Sequence, residues 1–150
     1  MTTTGSTLGA VSDDLRSDRL AGRDGVEQVA RRWFAFAQNG DFGQLAELLH
    51  DDVLIVSKVQ AGAVLDGRAE ATRFIEETLA GRLYEAAGDV YTPLDETRVV
   101  IEERMRWIDD DRVIRDDPVV WAMECRDGLV FRFAPARTTM EAEAILASPL

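Results

Sequence analysis

Two ionisable residues lie within apolar stretches and could carry out proton transfer. Lys58, the only lysine beside sixteen arginines, follows the apolar run at residues 53–56. Burial lowers the pKa of a lysine, which could then serve as a neutral base or form an imine. Glu103 lies in residues 98–108, where apolar side chains alternate along the chain. A carboxyl group desolvated there would have a raised pKa, which suits acid or base catalysis.

Each candidate also has a purely structural interpretation. Lys58 could lay its stem along the strand and keep its ammonium group in water. Glu103 could form an ion pair with one of three arginines on neighbouring segments, without any catalysis. These arginines are Arg98, Arg132 and Arg137.

Aromatic and methionine side chains could line a pocket around such a group, since the inner wall of a curved sheet serves as both core and binding surface. The candidates are Trp33, Trp121, Met123, Phe131 and Phe133. Tyr84 and Tyr91 could each donate a hydroxyl hydrogen bond to a ligand carbonyl.

Composition excludes several classes of protein. The 150 residues suit one domain, and the net charge of −11, from 28 acidic and 17 basic residues, speaks against a nucleic-acid partner. No apolar run is long enough for a membrane span. One cysteine and one histidine cannot build a zinc site of nitrogen and sulfur ligands, and no glycine-rich phosphate loop is present. We therefore expect a cytoplasmic protein without metal or cofactor.

The first half of the sequence predicts mainly helices. Residues 1–22 lack a sustained apolar stripe and indicate a mobile leader before a single domain at 23–150. Apolar residues from Val26 to Ala37 recur at helical spacing, and a second helix, capped by Asp41, would bury Phe42, Leu45, Leu48 and Leu49. A strand is expected at 53–59, and Asp66-Gly67 opens a third helix.

The second half predicts antiparallel strands. Residues 98–108, 119–125 and 129–133 alternate with period two, and Asp127-Gly128 is a strong hairpin signal between the last two strands. In the last strand, alternation groups Phe131 and Phe133 on one face. Thr138 and Glu141 predict a capping box for a closing helix. The order of elements indicates an α+β domain in which a curved antiparallel sheet packs on three to four helices.

The order of elements and four short segments resemble the nuclear transport factor 2-like superfamily, in particular its SnoaL-like members. The segments are Asn39-Gly40-Asp41, Leu48-Leu49-His50-Asp51-Asp52-Val53, Asp66-Gly67-Arg68 and Cys125-Arg126-Asp127-Gly128-Leu129-Val130. The resemblance covers roughly residues 24–147. It implies a cone-shaped sheet that encloses a pocket.

The resemblance leaves the activity open, because this fold is reused by isomerases, cyclases, epoxide hydrolases, dehydratases and association domains. Lys58 falls at or within one residue of the carboxylate base of the superfamily's ketosteroid isomerases, so that base is replaced here. Arg104 matches the arginine of limonene-epoxide-hydrolase-like members, but Arg106 and Ala134-Pro135 stand where their aspartates are expected. Alternation also turns Arg104 outward unless a bulge changes the face.

Two functional hypotheses remain. In the first, the protein is a cofactor-independent isomerase, cyclase or lyase for a small hydrophobic molecule, with Glu103 or Lys58 transferring the proton and Tyr84, Tyr91 or Arg104 holding an oxyanion. In the second, it is a non-catalytic binding or dimerisation module with a vestigial pocket. Either would form a homodimer through the outer face of the sheet.

Overall fold

The computed structural model describes residues 23–57, 63–79, 84–109 and 111–148. The predicted leader at 1–22 and Lys58 lie outside the described residues. The helices are α1 (Arg23–Asn39), α2 (Phe42–Glu47), α3 (Arg68–Phe74), which continues as a π-helical turn at Ile75–Leu79, and α4 (Thr139–Ala147). The strands are β1 (Leu49–Val56), β2 (Val64–Asp66), β3 (Tyr84–Pro93), β4 (Arg98–Ile108), β5 (Ile114–Arg126) and β6 (Leu129–Ala136).

The six strands form one mixed sheet in the order β2-β1-β6-β5-β4-β3. All neighbours are antiparallel except β1 and β6, which run parallel. The α+β prediction is confirmed, while the expectation of a purely antiparallel sheet is wrong at this pair. The chain forms β2 to β5 after β1, and the last strand, β6, then lies beside β1 and runs in the same direction.

The two faces of the sheet bury different helices. On the face that we call inner, the apolar stripe of α1, including Val29, Trp33 and Phe34, packs on odd-numbered residues of β4 and β5 in one large core. On the outer face, Ala142 and Leu146 of α4 pack on Val100 of β4 and small residues of β5 and β6. The central strands are thus covered on both sides.

Helix ends and turns follow their local sequence with one exception. Thr138 caps α4 by accepting a hydrogen bond from the Glu141 amide at 3.1 Å, as predicted. Asp127 and Gly128 have φ values of 55° and 75° in the predicted hairpin turn. Asp41 lies before α2 without a side-chain cap hydrogen bond, and the chain enters β1 at Leu49, so the second helix is shorter than predicted.

A β-bulge overturns one face assignment. Cys125 pairs with Val130 and Glu124 pairs with Arg132, so Phe131 is an extra residue between two successive pairs. Val130 and Phe133 therefore reach the inner core, and Phe131 does not join it. The predicted alternation of Phe131 with Phe133 is wrong for this reason.

Within the described ranges, none of the helices combines the length and apolarity that crossing a membrane would require.

Candidate functional site

Glu103 is a buried carboxyl group on the inner face of β4. Burial alternates along this strand from Ile101 to Trp107, and Glu103 takes an inward position with a relative exposure of 5%. The indole Nε1 of Trp121, on β5, donates a hydrogen bond to its Oε1 at 2.8 Å. A nonpolar wall therefore holds a carboxyl group that is oriented by a neutral donor.

The three arginines expected to neutralise Glu103 all have other carboxylate partners. Arg98 pairs with Asp95 in the turn before β4, and Arg132 pairs with Glu124 on the outer face at 2.8 Å. Arg137 pairs with Glu141 at 3.5 Å. Each of the three guanidinium groups thus contacts another carboxylate, and the ion-pair interpretation of Glu103 stays a prediction.

Four aromatic rings pack beside this carboxyl group. The ring of Trp121 stacks on Phe133 with centroids 4.4 Å apart and an interplanar angle of 14°. Phe34 of α1 lies 6.4 Å from Trp121 and 6.0 Å from Phe133, and Trp33 lies 5.2 Å from Phe133. Met123 is fully buried in the same core. We call Trp33, Phe34, Trp121 and Phe133 the aromatic cluster.

Tyr91 of β3 extends this cluster toward the edge of the sheet. Its ring meets Phe34 edge to face at 6.4 Å, and the Arg31 guanidinium lies 4.2 Å above the ring centroid. Its hydroxyl donates a long hydrogen bond of 3.3 Å to Asp89 Oδ2. Burial, followed by the negative charge of Asp89 and its hydrogen bond, raises the pKa of Tyr91, and the charge of Glu103 adds to the effect. Tyr91 is thus a protonated phenol whose hydroxyl donates to Asp89.

Asp89 is a site residue that the sequence analysis missed. It lies in β3, where the pairing with β4 shifts between Ala87 and Val90. Its Oδ1 is buried and has no hydrogen-bond partner in the part of the chain that the structure describes. A glycine inside a strand is a known sign of a bulge, and Gly88 directly before Asp89 was the available signal.

Two predicted binding residues lie away from the cluster. Arg104 is exposed on the outer face, where its Nε contacts Asp116 Oδ1 at 2.7 Å. Phe131 sits at its bulge, with the Arg126 guanidinium 3.7 Å above its ring and His50 at 5.3 Å. We leave both out of the candidate site, because neither side chain reaches the inner-face core.

Of two more predicted residues, only the backbone of one is described. The backbone of Tyr84 pairs with Trp107 at the end of β3, seven residues from Tyr91. Lys58 comes directly after Ser57, where the described part of this segment ends, and lies outside the described residues.

A groove of about 540 Å³ opens elsewhere, between the first half of α1, the turn before β4 and the β5–β6 hairpin. It is lined by Val26, Arg32, Thr97, Cys125 and Asp127, among others, and not by Glu103 or the aromatic cluster. Burial and the charge of Glu124 raise the pKa of Cys125 to about 12, so the thiol in this groove is a poor nucleophile. Its carboxylates, Glu96 and Asp127, are exposed to solvent, unlike the buried Glu103.

The described ranges contain no group of three or more His, Cys, Asp or Glu residues able to hold a metal ion. The candidate site therefore consists of Glu103, Asp89, Tyr91 and the aromatic cluster. Its chemistry is that of carboxyl groups and a phenol beside an apolar surface, which is suited to moving protons on an apolar molecule.

Three of the solved structures with similar folds are bacterial proteins of low sequence identity to this chain. A Xanthomonas campestris pv. campestris protein, provisionally named a polyketide cyclase, is 20% identical and has a TM-score of 0.66, with coverage of 81% of this chain and 96% of its own. The Δ5-3-ketosteroid isomerase from Mycobacterium sp. is 15% identical, with a TM-score of 0.65 and coverages of 79% and 95%. A Mycobacterium tuberculosis protein in complex with estradiol-17beta-hemisuccinate is 13% identical, with a TM-score of 0.61 and coverages of 77% and 95%.

No curated protein matches the sequence significantly. The family model described as the SnoaL-like domain matches residues 26–141, which span α1 to the first turn of α4. The mixed sheet with helices on both faces agrees with this match. The chain belongs to the SnoaL-like domain family, within the nuclear transport factor 2-like superfamily.

Proposed function

We propose that the protein binds a small hydrophobic organic molecule against the aromatic cluster and that Glu103 transfers a proton to or from it. The reaction would be a cofactor-independent isomerisation, cyclisation or elimination. The observation that carries the proposal is the Glu103 carboxyl group, 5% exposed on the inner face, which the Trp121 indole N–H orients at 2.8 Å.

The chemistry follows from this environment. A carboxylate withdrawn from water is a stronger base than one that is hydrated, and the carboxylic acid formed can return its proton to another atom of the same molecule. The Trp121 hydrogen bond fixes the direction of the carboxyl group and brings no charge that would suppress its basicity. A carbonyl group next to the reacting carbon would need a donor for its developing negative charge, and Tyr91 is the candidate donor.

Similar folds support the apolar character of the ligand. One of them is a ketosteroid isomerase, and another was solved with estradiol-17beta-hemisuccinate. Flat, mostly apolar molecules of this kind would suit the stacked rings of Trp121 and Phe133. Lys58 remains a second candidate for the proton transfer. Cytoplasmic location and a homodimer formed through the outer face of the sheet also remain proposals.

One observation favours the second hypothesis, a binding or dimerisation module without catalysis. The Glu103–Trp121 hydrogen bond could serve only to specify the core, as buried polar pairs do in some proteins. The replaced residues at Lys58 and Arg106 agree with that interpretation, since they stand where related enzymes carry carboxylates.

Native mass spectrometry of the purified protein, followed by denaturing extraction, would show both the oligomeric state and any bound molecule. We expect a dimer that carries an apolar compound, or that is thermally stabilised by estradiol-17beta-hemisuccinate. A protein that carries nothing, and that steroid, polyketide-like and terpenoid compounds do not stabilise, would contradict the binding proposal and favour the module.

A second experiment separates catalysis from binding. The Glu103→Gln variant keeps the size of the side chain and an acceptor for Trp121 but loses the base. With a Δ5-3-ketosteroid as first test substrate and ultraviolet absorbance of the conjugated product as readout, we expect kcat to fall about 100-fold or more with binding nearly unchanged. Glu102→Gln, at the exposed neighbouring position, is the matched control. Equal turnover by Glu103→Gln and wild type would exclude Glu103 as the base.

A further inference from the structure

Asp89 reaches the inner face because β3 bulges opposite Glu103. Ala87 pairs with Arg104 and Val90 pairs with Glu102, so Gly88 and Asp89 together face the single residue Glu103. Bulges of this kind redirect a side chain and are frequent beside functional sites. The distortion thus places Asp89 opposite Glu103 in the strand register.

The Asp89 carboxyl group is only partly satisfied. Its Oδ2 accepts the hydroxyl of Tyr91 at 3.3 Å, which is long for a bond between two oxygens. Its Oδ1 is buried without a hydrogen-bond partner among the residues that the structure describes. An acceptor buried in this way destabilises the folded protein, so its presence calls for an explanation.

We propose that Asp89 Oδ1 accepts a hydrogen bond from a hydroxyl group on the bound molecule, so that the site selects apolar ligands that carry such a donor. The inference rests on the proposed function, because it assigns the class of ligand for the same site. Tyr91 holds the carboxyl group through Oδ2, and the aromatic cluster receives the apolar part of the molecule. Asp89 is thus a specificity residue, while Glu103 carries the chemistry.

Two other polar arrangements in the molecule do not offer this combination. Exposed carboxylates such as Glu85 and Asp116 pair with arginines on the outer face. The polar residues that line the groove beside Cys125 are exposed, so water can satisfy them. Asp89 Oδ1 is therefore a buried acceptor, without a hydrogen bond among the described residues, that a ligand donor would satisfy.

A pair of ligands that differ only in the donor tests this assignment. The probes are estradiol-17beta-hemisuccinate, which has a phenolic hydroxyl, and its 3-methyl ether, in which the hydroxyl is blocked. Binding is measured by quenching of tryptophan fluorescence, since Trp121 belongs to the cluster. We expect the wild-type protein to bind the phenol at least about 10-fold more tightly, as for one hydrogen bond to a charged acceptor.

The variant Asp89→Asn should lose this preference. An amide replaces the charged acceptor and can donate to the ether oxygen, so we expect the two affinities to agree within about 3-fold. Glu102→Gln, exposed on β4 opposite Val90, is the control and should keep the wild-type preference.

The outcomes distinguish this inference from the proposal beneath it. If the wild-type protein binds phenol and ether equally well, Asp89 is not a donor-selective residue, and the proposed binding function stands. If it binds neither probe, the inference fails, and the extraction and thermal-stabilisation experiment above decides the binding proposal. A measurement without ligand adds a second criterion: we expect Asp89→Asn to melt no lower than wild type, whereas a clear fall in Tm would show that Asp89 serves the fold.

Discussion

The hydrogen bond between Glu103 and Trp121 allows a quantitative test of the candidate site through a double-mutant cycle. Glu103→Leu leaves the buried indole N–H without its acceptor, which costs about 1–3 kcal/mol. Trp121→Phe removes the donor and part of the stacking on Phe133, so we expect the free energy of unfolding to fall by about 3 kcal/mol. The double variant has neither the donor nor the acceptor of this hydrogen bond. Its loss of unfolding free energy should therefore be about 2 kcal/mol smaller than the sum of the losses in the two single variants.

Urea unfolding followed by circular dichroism measures the three free energies, provided that the slope with denaturant stays constant. Trp121→Phe combined with Leu at exposed Glu102 is the control cycle, and its losses should add, because Glu102 lies on the other face. Additivity within about 0.5 kcal/mol in the Glu103 cycle would show that the two side chains do not depend on each other and would refute the geometry of the site.

Three further predictions concern other parts of the molecule. Burial and a nearby charge raise the pKa of Cys125 to about 12. Iodoacetamide at pH 8 should therefore label this thiol in urea and not in the native protein. Equal labelling rates in the two states would show that the thiol is accessible in the native protein. The hydrogen bond from Arg98 lowers the pKa of Asp95 to about 2. The Tm of wild type should therefore exceed that of Asp95→Asn by its largest amount above about pH 4, and this difference should disappear as the pH falls toward about 2. A difference in Tm that does not change with pH would contradict this. Arg132 pairs with Glu124 and donates hydrogen bonds to three carbonyl groups around the end of α4. We therefore expect Arg132→Met to lower the free energy of unfolding, measured in urea, by about 3 kcal/mol. A loss below about 1 kcal/mol would show that α4 docks without this side chain.

The inward position of Glu103 was predictable because β4 is regular over most of its length. Side chains alternate between the two faces of a strand as long as no extra residue is inserted. Glu103 has the same parity as the apolar residues Ile101, Met105 and Trp107, so it is expected on the same buried face. That Trp121 is the hydrogen-bond donor to Glu103 was harder to predict. Trp121 pairs with Ile101 rather than with Glu103, so their contact depends on the β4–β5 register, which alternation in either strand does not determine.

The bulges at Asp89 and Phe131 were not predictable from hydrophobicity. Each inserts a residue that moves the later residues of its strand to the opposite face, while the local composition hardly changes. The segment before Tyr91 contains small and acidic residues and shows no apolar alternation, so the sequence does not predict β3 as a strand. The parallel pairing of β1 with β6 depends on how the sheet is assembled, for which neither strand carries a local signal.

The two faces of the sheet use charge in different ways, and this difference bears on function. On the outer face Arg104 and Arg106 are about half exposed and pair with carboxylates, an arrangement that water screens and that contributes at most about 1 kcal/mol for each pair. On the inner face Glu103 is buried with a neutral donor, and Asp89 keeps a buried oxygen unsatisfied by the described residues. A sheet selected for stability alone would carry apolar side chains at both inner positions, because burying a carboxyl group carries a desolvation cost that an apolar side chain does not have. The inner face therefore gives up stability for two carboxyl groups beside an aromatic surface, and a bound molecule that supplies the hydrogen-bond donor for Asp89 would recover part of that loss.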